Sequence, residues 1–141
     1  MSKEQNKEMV RRYYSEVVNE AKLDELADFL SPDYVEVHNN RRYSVGIKGA
    51  KEHIVGVHET YRNLQISVER QIAEGDWVVT QITVRGSHVG DWLGMKPTGR
   101  HVEFTGVNVD KVVAGRIVEH GGATNMLEPL LEVGAVQIVG E

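Results

Sequence analysis

The chain has 141 residues, a net charge of −5, no cysteine and no run of lysine or arginine. This length suits one domain with a sizeable core, and the acidic balance argues against nucleic acid or an anionic membrane surface as the main partner. Without cysteine the protein cannot hold a disulfide, a zinc–thiolate site or a thiol nucleophile.

Two further features bear on location and organisation. No apolar run approaches the length of a transmembrane helix, and the charged stretch 1–8 lacks the character of a secretory signal. No linker, internal repeat or low-complexity segment interrupts the sequence. We therefore expect residues 1–141 to form one domain of a cytoplasmic protein without a membrane partner.

The first sixty residues carry the period of amphipathic helices. Apolar residues recur at spacings of three and four in three segments, which are 9–18, 23–30 and 47–61. Ser2 followed by Gln5 matches a capping box at the start of the first helix. The second helix is predicted to end at Ser31-Pro32, because the residue before proline avoids helical dihedral angles. After it, 33–38 alternates like a strand and 39–42 is expected to be a loop.

From Leu64 onward the apolar period is two, which is typical of strands. Two hairpins are predicted, with strands at 64–72 and 77–88, and at 102–112 and 116–124. Helices first and antiparallel strands afterwards indicate an α+β domain. We expect three helices packed on one face of a curved antiparallel or mixed sheet, with a short helix after Met126. Such a sheet forms a cone whose open end is a natural small-molecule pocket.

Four short stretches carry a family pattern, and they are Glu74–Val79, Arg85–His88, Gly94–Arg100 and Gly115–His120. In these stretches, and in the order of its elements, the chain resembles the SnoaL-like polyketide cyclase (ester cyclase) branch of the nuclear-transport-factor-2-like fold. The resemblance covers nearly the whole chain. It implies an enzyme that uses no metal and no organic cofactor and closes a ring by intramolecular aldol condensation. In that reaction an acidic residue on the last strands removes a proton from a carbon acid, and polar neighbours stabilise the enolate.

The last strand departs from the family pattern. Family members often have glu-his-trp and, after three further residues, asp. In this chain Glu119-His120 is followed by Gly121, and Asn125 stands at the aspartate position. An amide cannot act as a general base, whereas a carboxylate or a neutral imidazole can. Three interpretations stay open: the base has moved, the reaction differs, or the pocket only binds its ligand.

Two histidines are candidate general bases, because the ordinary pKa of histidine suits proton abstraction at cellular pH. His120 lies on the last predicted strand, where alternation places it on the opposite face from Glu119. His38 ends the first strand, where members of the family often carry a pocket histidine. The alternative for His120 is a place on the outer face of the sheet, and for His38 it is a loop edge.

Asp110 and Asn108 lie on the strand before the last turn. With Ala114-Gly115 at the centre of the turn, the register predicts Asp110 opposite Glu119 and Asn108 opposite Gly121. A polar group across from glycine lets a ligand approach closely, so Asn108 is a candidate polarising group. Asp110 is the third candidate catalytic residue, as the carboxylate that would direct water in an epoxide hydrolase. The alternative for both is a hydrated outer face.

The remaining candidates are expected to bind substrate. Asn125 could donate a hydrogen bond to an oxyanion or cap the helix that follows it. His88 and Trp92 belong to a strand end and loop at the mouth of the cone, and Trp92 is expected to be an exposed aromatic that serves as a lid or a dimer contact. Tyr14 and Tyr34 are expected in the core or along the cavity wall.

No metal site is predicted. His53 and His58 lie five residues apart on the third helix and therefore not on one face, and no carboxylate completes a zinc-binding pattern. Helical spacing makes both of them ordinary surface or boundary residues.

Three functional hypotheses follow. The first is an enzyme of the cyclase, isomerase or hydrolase type, free of cofactor, that acts on a small hydrophobic carbonyl compound by aldol-type cyclisation or a related proton abstraction. The second is an epoxide hydrolase of the same fold, and the third is a small-molecule binding protein without turnover. The alternative to all three is a purely structural dimer with a core-filled cone. In each case the resemblance implies a homodimer formed through the outer face of the sheet, and we expect no nucleic acid partner.

Overall fold

A computed structural model describes residues 2–140. Helix α1 (Lys3–Arg12) continues into a π-helical segment (Tyr13–Val18), and a single 3₁₀ turn (Leu23–Glu25) leads into α2 (Leu26–Phe29). The later helices are α3 (Gly46–Thr60) and α4 (Leu127–Glu132). The strands are β1 (Leu30–His38), β2 (Arg41–Ser44), β3 (Tyr61–Glu74), β4 (Trp77–His88), β5 (His101–Val113) and β6 (Arg116–Asn125).

The strands form one curved sheet in the spatial order β2-β1-β6-β5-β4-β3. All neighbours are antiparallel except β1 and β6, which are parallel, so the sheet is mixed. Three N-terminal helices pack against it and a short helix follows the last strand, which confirms the predicted α+β architecture. No helix within residues 2–140 is both long enough and apolar enough to cross a bilayer.

The predicted helix start is confirmed. The Ser2 hydroxyl accepts a hydrogen bond from the Gln5 backbone N–H at 3.1 Å, and the Gln5 side chain accepts one from the Ser2 backbone at 2.9 Å. These reciprocal bonds are a complete capping box, which satisfies N–H groups that the first turn of a helix leaves free.

The strand predicted at 33–38 is confirmed as part of β1, but the structure differs from the prediction at Ser31-Pro32 and at 39–42. The second helix ends at Phe29, and Ser31-Pro32 lies inside β1. Proline is tolerated there because the ladder to β6 is interrupted between Leu30 and Val35, so no N–H is needed at that point. The expected loop at 39–42 is a tight turn at Asn39-Asn40, with φ values of 51° and 63°, followed by β2. Two left-handed residues are what a two-residue hairpin turn requires.

One extra residue in β6 sets the register of the last hairpin. Val112 pairs with Ile117, but Lys111 pairs with Glu119, so Val118 is a bulge without a partner. The prediction of Asp110 opposite Glu119 is therefore wrong by one residue.

Beyond this bulge the structure places Asp110 opposite His120 and Asn108 opposite Gly122. Glu119 lies on the outer face of the sheet, where it forms an ion pair with Arg42.

The core consists of two apolar clusters. The first joins the N-terminal helices to β1 and β6 and includes Val10, Val17, Leu26, Leu30 and Ile117. The second lies at the other end of the sheet and includes Tyr61, Leu64, Trp92, Phe104 and Leu130. Residues of both clusters line an apolar cavity, which therefore lies between them.

Candidate active site

A cavity of about 270 Å³ opens between the helices and the inner face of the sheet. Its wall is mostly apolar and aromatic, as in many small-molecule sites. The side chains on it that carry a polar group are Tyr13, Tyr14, Tyr34, Glu36, His53, Tyr61, Asn108, His120 and Thr124. None of the described residues that line it is a lysine or an arginine.

A histidine–carboxylate pair lies at the wall of this cavity. The Nδ1 atom of His120 is 2.6 Å from Oδ1 of Asp110, and Asp110 is fully buried. The second carboxylate oxygen, Oδ2, accepts a hydrogen bond from the Tyr14 hydroxyl. An ionised carboxylate can only accept hydrogen bonds, so Nδ1 of His120 carries the proton. Nε2, on the other side of the ring, has no hydrogen-bond partner among the described residues.

The surroundings of His120 and Tyr14 shift the pKa values of both side chains. Burial lowers the pKa of His120, but the charge of Asp110, its hydrogen bond and the charge of Glu36 raise it by more, so the pKa lies above its ordinary value. Burial, followed by the charge of Asp110, raises the pKa of Tyr14 well above its ordinary value. Tyr14 therefore keeps its proton and remains a donor to Asp110. A more basic imidazole with a fixed tautomer is suited to accept a proton at Nε2.

Tyr14 reaches Asp110 from the π-helical segment that follows α1. This segment carries Tyr13 and Tyr14 side by side, with ring centroids 5.5 Å apart. A π-helix is rare and commonly marks a functional site. Both tyrosines are buried, and only Tyr14 contacts the Asp110–His120 pair. The change in helix geometry therefore accompanies a buried polar contact to the sheet.

A second polar group lies on the neighbouring strand. Glu36 of β1 is the parallel register partner of His120. Its Oε2 atom accepts a hydrogen bond from the Tyr34 hydroxyl at 3.1 Å and lies 3.2 Å from Nδ1 of His53 on α3. Sequence reasoning missed both Glu36 and His53. The available signal was alternation in β1, which puts Glu36 on the same face as the buried Tyr34.

Asn108 also lies on the cavity wall. Its partner across the hairpin is Gly122, where a Cβ atom would lie 2.2 Å from the carbonyl oxygen of Val107. Only glycine fits at that position, so the strand passes Asn108 without a side chain of its own. Atoms of Val107 and Asn108 fill the space where that Cβ would lie, so the glycine lets β6 approach β5 closely while Asn108 stays on the cavity wall.

The family model for SnoaL-like polyketide cyclases matches residues 8–132. The chain belongs to this family. It is 26% identical over 113 residues to the aklanonic acid methyl ester cyclase AcmA of Streptomyces galilaeus, covering 74% of each chain. It is 28% identical over 104 residues to the nogalonic acid methyl ester cyclase of Streptomyces nogalater, covering 72% of this chain and 78% of that one. The crystal structure of AclR from Streptomyces galilaeus superposes with a TM-score of 0.82 at 27% identity, covering 96% of this chain and all of the other.

In this SnoaL-like chain Asn125 is not part of the cavity. It pairs with Thr105 at the end of β6 and is exposed in a groove on the outer face of the sheet, beside Gln81 and Ala123. The alternative role as a helix cap is also absent, because α4 has Met126 at its N-cap position and no side-chain cap bond. The residue at the family's aspartate position therefore faces away from the Asp110–His120 pair.

His88 and Trp92 lie in the second apolar cluster and not on the cavity wall. The expectation of an exposed Trp92 is wrong, because only 3% of it is exposed. Its ring packs against His88 and Tyr61. His88 is fully buried and its Nδ1 lies 3.2 Å from the Thr98 hydroxyl. These contacts hold the loop between β4 and β5 against the sheet.

The other candidates separate into two groups. Tyr14 and Tyr34 line the cavity and are nearly fully buried. His38 is exposed and borders a wider depression of about 600 Å³ that shares Glu36, His53 and other residues with the cavity. Within residues 2–140, no three His, Cys, Asp or Glu side chains cluster in a way that could hold a metal ion.

Proposed function

We propose that this protein closes a ring in a small neutral polyketide-type carbonyl compound by an intramolecular aldol reaction, with His120 as the general base. The observation that carries the proposal is the His120–Asp110 pair on the wall of an apolar cavity. The chemistry suits a site of this kind because aldol closure is redox-neutral and rearranges one molecule. It therefore requires no electron acceptor and no second substrate.

The reaction begins at Nε2 of His120, which removes a proton from a carbon next to a carbonyl group. The electron pair forms an enolate, whose carbon attacks a second carbonyl of the same molecule. A carbon–carbon bond forms, and the π electrons of that carbonyl move to its oxygen. The resulting alkoxide takes up a proton. Asp110 keeps His120 in the required tautomer and stabilises the imidazolium that forms.

Asn108 is proposed to polarise the carbonyl next to the acidic carbon. Its side chain lines the cavity and is half-buried, and an amide N–H can donate to an enolate oxygen. A hydrogen bond of this kind strengthens as charge develops on that oxygen in the transition state.

The charges of the cavity favour a neutral substrate. Glu36 lies on the wall and Asp110 directly behind it, while no lysine or arginine is among the lining residues. A free carboxylate would lose hydration there and meet negative charge, so an ester is favoured over its acid. The names of the relatives AcmA and nogalonic acid methyl ester cyclase describe methyl ester substrates, which fits this preference.

The epoxide hydrolase alternative has less support. It would need Asp110 to direct a water molecule, but Tyr14 occupies one oxygen of this carboxylate and His120 the other. Asp110 is also fully buried. A carboxylate held in this way positions its neighbours more readily than it activates water.

A second copy of the chain is the proposed partner of the outer face of the sheet. Large apolar side chains are exposed there, with 39% of Trp77 and 44% of Val107 open to solvent. Such a patch is typical of a subunit interface. Light scattering of the wild type and of Val107→Asp tests the proposal, which requires a dimer for the first and a smaller species for the second.

The test of the reaction is His120→Gln, assayed with an aryl diketone that carries a methyl ester. Ring closure is followed by chromatography, and thermal unfolding shows whether each variant folds. We expect His120→Gln to lose turnover and to keep binding the diketone, while His101→Gln, an exposed histidine outside the cavity, remains active. Turnover by His120→Gln at the wild-type rate contradicts the assignment. Thermal stabilisation by the diketone without turnover in the wild type supports the binding-protein hypothesis instead.

A further inference from the structure

The mouth of the cavity holds a second histidine–carboxylate pair. Glu36 is partly buried, with 23% of its side chain exposed, whereas 59% of the His53 side chain is exposed. Both line the cavity and the wider depression in front of it. Nδ1 of His53 faces Oε2 of Glu36, which leaves Nε2 of His53 and Oε1 of Glu36 without a hydrogen-bond partner among the described residues.

The two pairs are neighbours across the sheet. Glu36, His120 and Asp110 occupy one row, with one residue from each of the adjacent strands β1, β6 and β5. Adjacent strands lie about 4.8 Å apart. A substrate in contact with His120 is therefore also within a few ångströms of Glu36.

The surroundings of Glu36 decide which member of the mouth pair carries a proton. Burial raises the pKa of Glu36, but the hydrogen bond and charge of His53, the charge of His120 and the Tyr34 hydroxyl lower it below its ordinary value. Burial, followed by the charges of Asp110 and Glu36, raises the pKa of Tyr13 in the π-helical segment. Glu36 is therefore ionised and accepts the hydrogen bond from Nδ1 of His53, which leaves Nε2 of the ring directed away from this carboxylate.

A structural role alone explains this arrangement poorly. An ion pair with an exposed histidine contributes about 1 kcal/mol or less to stability. Holding a carboxylate on an apolar wall costs hydration, and the contacts from Tyr34 and His53 both go to Oε2, so they leave Oε1 unsatisfied among the described residues. The arrangement is explained if the site must hold an imidazolium next to a ligand, because the carboxylate stabilises the positive charge.

We propose that His53, held by Glu36, is the proton donor of the cavity, which protonates the alkoxide formed when the ring closes. The proposal rests on the aldol function given above. His120 takes the proton from carbon, and Nε2 of His53 gives a different proton to oxygen. Each turnover leaves His120 protonated and His53 neutral, and exchange with water at the mouth restores both without net consumption of protons.

The test compares His53→Gln, Glu36→Gln and the control His101→Gln with the same aryl diketone methyl ester. Glutamine can keep a hydrogen bond to Glu36 but cannot donate a proton at neutral pH. We expect kcat of His53→Gln to fall about 100-fold with KM nearly unchanged. The alkaline limb of its pH–rate profile, which reports loss of the donor proton, should disappear. Glu36→Gln should move this limb to lower pH, because the imidazolium loses its charged partner.

The outcomes distinguish a failure of the His53 proposal from a failure of the proposed aldol function. If His53→Gln keeps the wild-type kcat or its alkaline limb, or changes only KM, His53 is not the donor, and the loss of turnover in His120→Gln still supports the aldol function. If His120→Gln also remains active, the function itself is wrong. Circular dichroism and the melting temperature of each variant establish that it is folded before its rate is compared.

Discussion

Asp110 and His120 face each other across β5 and β6 because Val118 adds one residue to β6 between the turn and the pair. Without this bulge, counting outward from the turn pairs Asp110 with Glu119. The bulge therefore decides which titratable side chain of β6 meets the buried carboxylate. Bulges next to active sites commonly redirect a side chain in this way.

The first prediction concerns Asp110→Asn. Removing the charge that helps to raise the pKa of His120 should lower this pKa. The acidic limb of the pH–rate profile should move to lower pH, and kcat should fall at least about 100-fold. NMR titration of the His120 ring proton measures the shift directly. Asp76→Asn, at an exposed position in the β3–β4 turn, should leave the midpoint unchanged, and an unchanged midpoint in Asp110→Asn contradicts the proposed coupling.

The second prediction concerns stability as a function of pH. The pKa of His120 is raised in the folded protein, so the contribution of this group is fully present below the unfolded pKa of about 6.5. It is lost as the pH rises through the folded value. The difference in unfolding free energy between wild type and His120→Gln should therefore be greatest in mild acid and smaller at alkaline pH. Urea titrations at a series of pH values measure it, and a difference that grows with pH would have the wrong sign.

The third prediction compares two tyrosine hydroxyls. Tyr14→Phe removes the donor to Oδ2 of the fully buried Asp110 and should destabilise the protein by about 1–3 kcal/mol. Tyr34→Phe removes a donor to Glu36, which remains partly hydrated and keeps His53, so its cost should be about 1 kcal/mol or less. Chemical denaturation of both variants provides the comparison. Equal losses would mean that Asp110 finds another donor.

The fourth prediction restores the aspartate of the family pattern. Asn125 lies on the outer face and does not line the cavity. Asn125→Asp should therefore leave kcat and KM within about twofold of wild type, because a charge outside the cavity and exposed to water is strongly screened. Steady-state kinetics with the aryl diketone ester tests this. A tenfold or larger gain would show that position 125 reaches the reacting carbon.

Local patterns predicted the parts of the fold that depend on neighbouring residues. The capping box at Ser2 and the strand Trp77–His88 follow from short-range spacing and are present as predicted. The bulge at Val118 was not predicted, although the adjacent pairs Ile117-Val118 and Glu119-His120 break the alternation of the strand. The burial of Trp92 depends on Tyr61 and Phe104, which come from other strands.

In the candidate site, too, some residues were predicted from the sequence and others depend on tertiary packing. The sequence supplied His120, Asp110, Asn108 and Tyr14 as separate candidates, and the structure places all four at or directly behind one cavity wall. Glu36 and His53 meet only through the packing of α3 on β1. No spacing along the chain encodes that contact, so helical periodicity alone assigned His53 to the surface.

The division of the core into two clusters has a thermodynamic consequence. A cavity between apolar walls forfeits the contacts that its lining would otherwise make. A ligand of matching shape restores those contacts and connects the two clusters for as long as it stays bound. Entry and release can use the open mouth beside Glu36 and His53, while each cluster keeps its own packing. Loading and unloading of the site can proceed without unfolding any helix or strand.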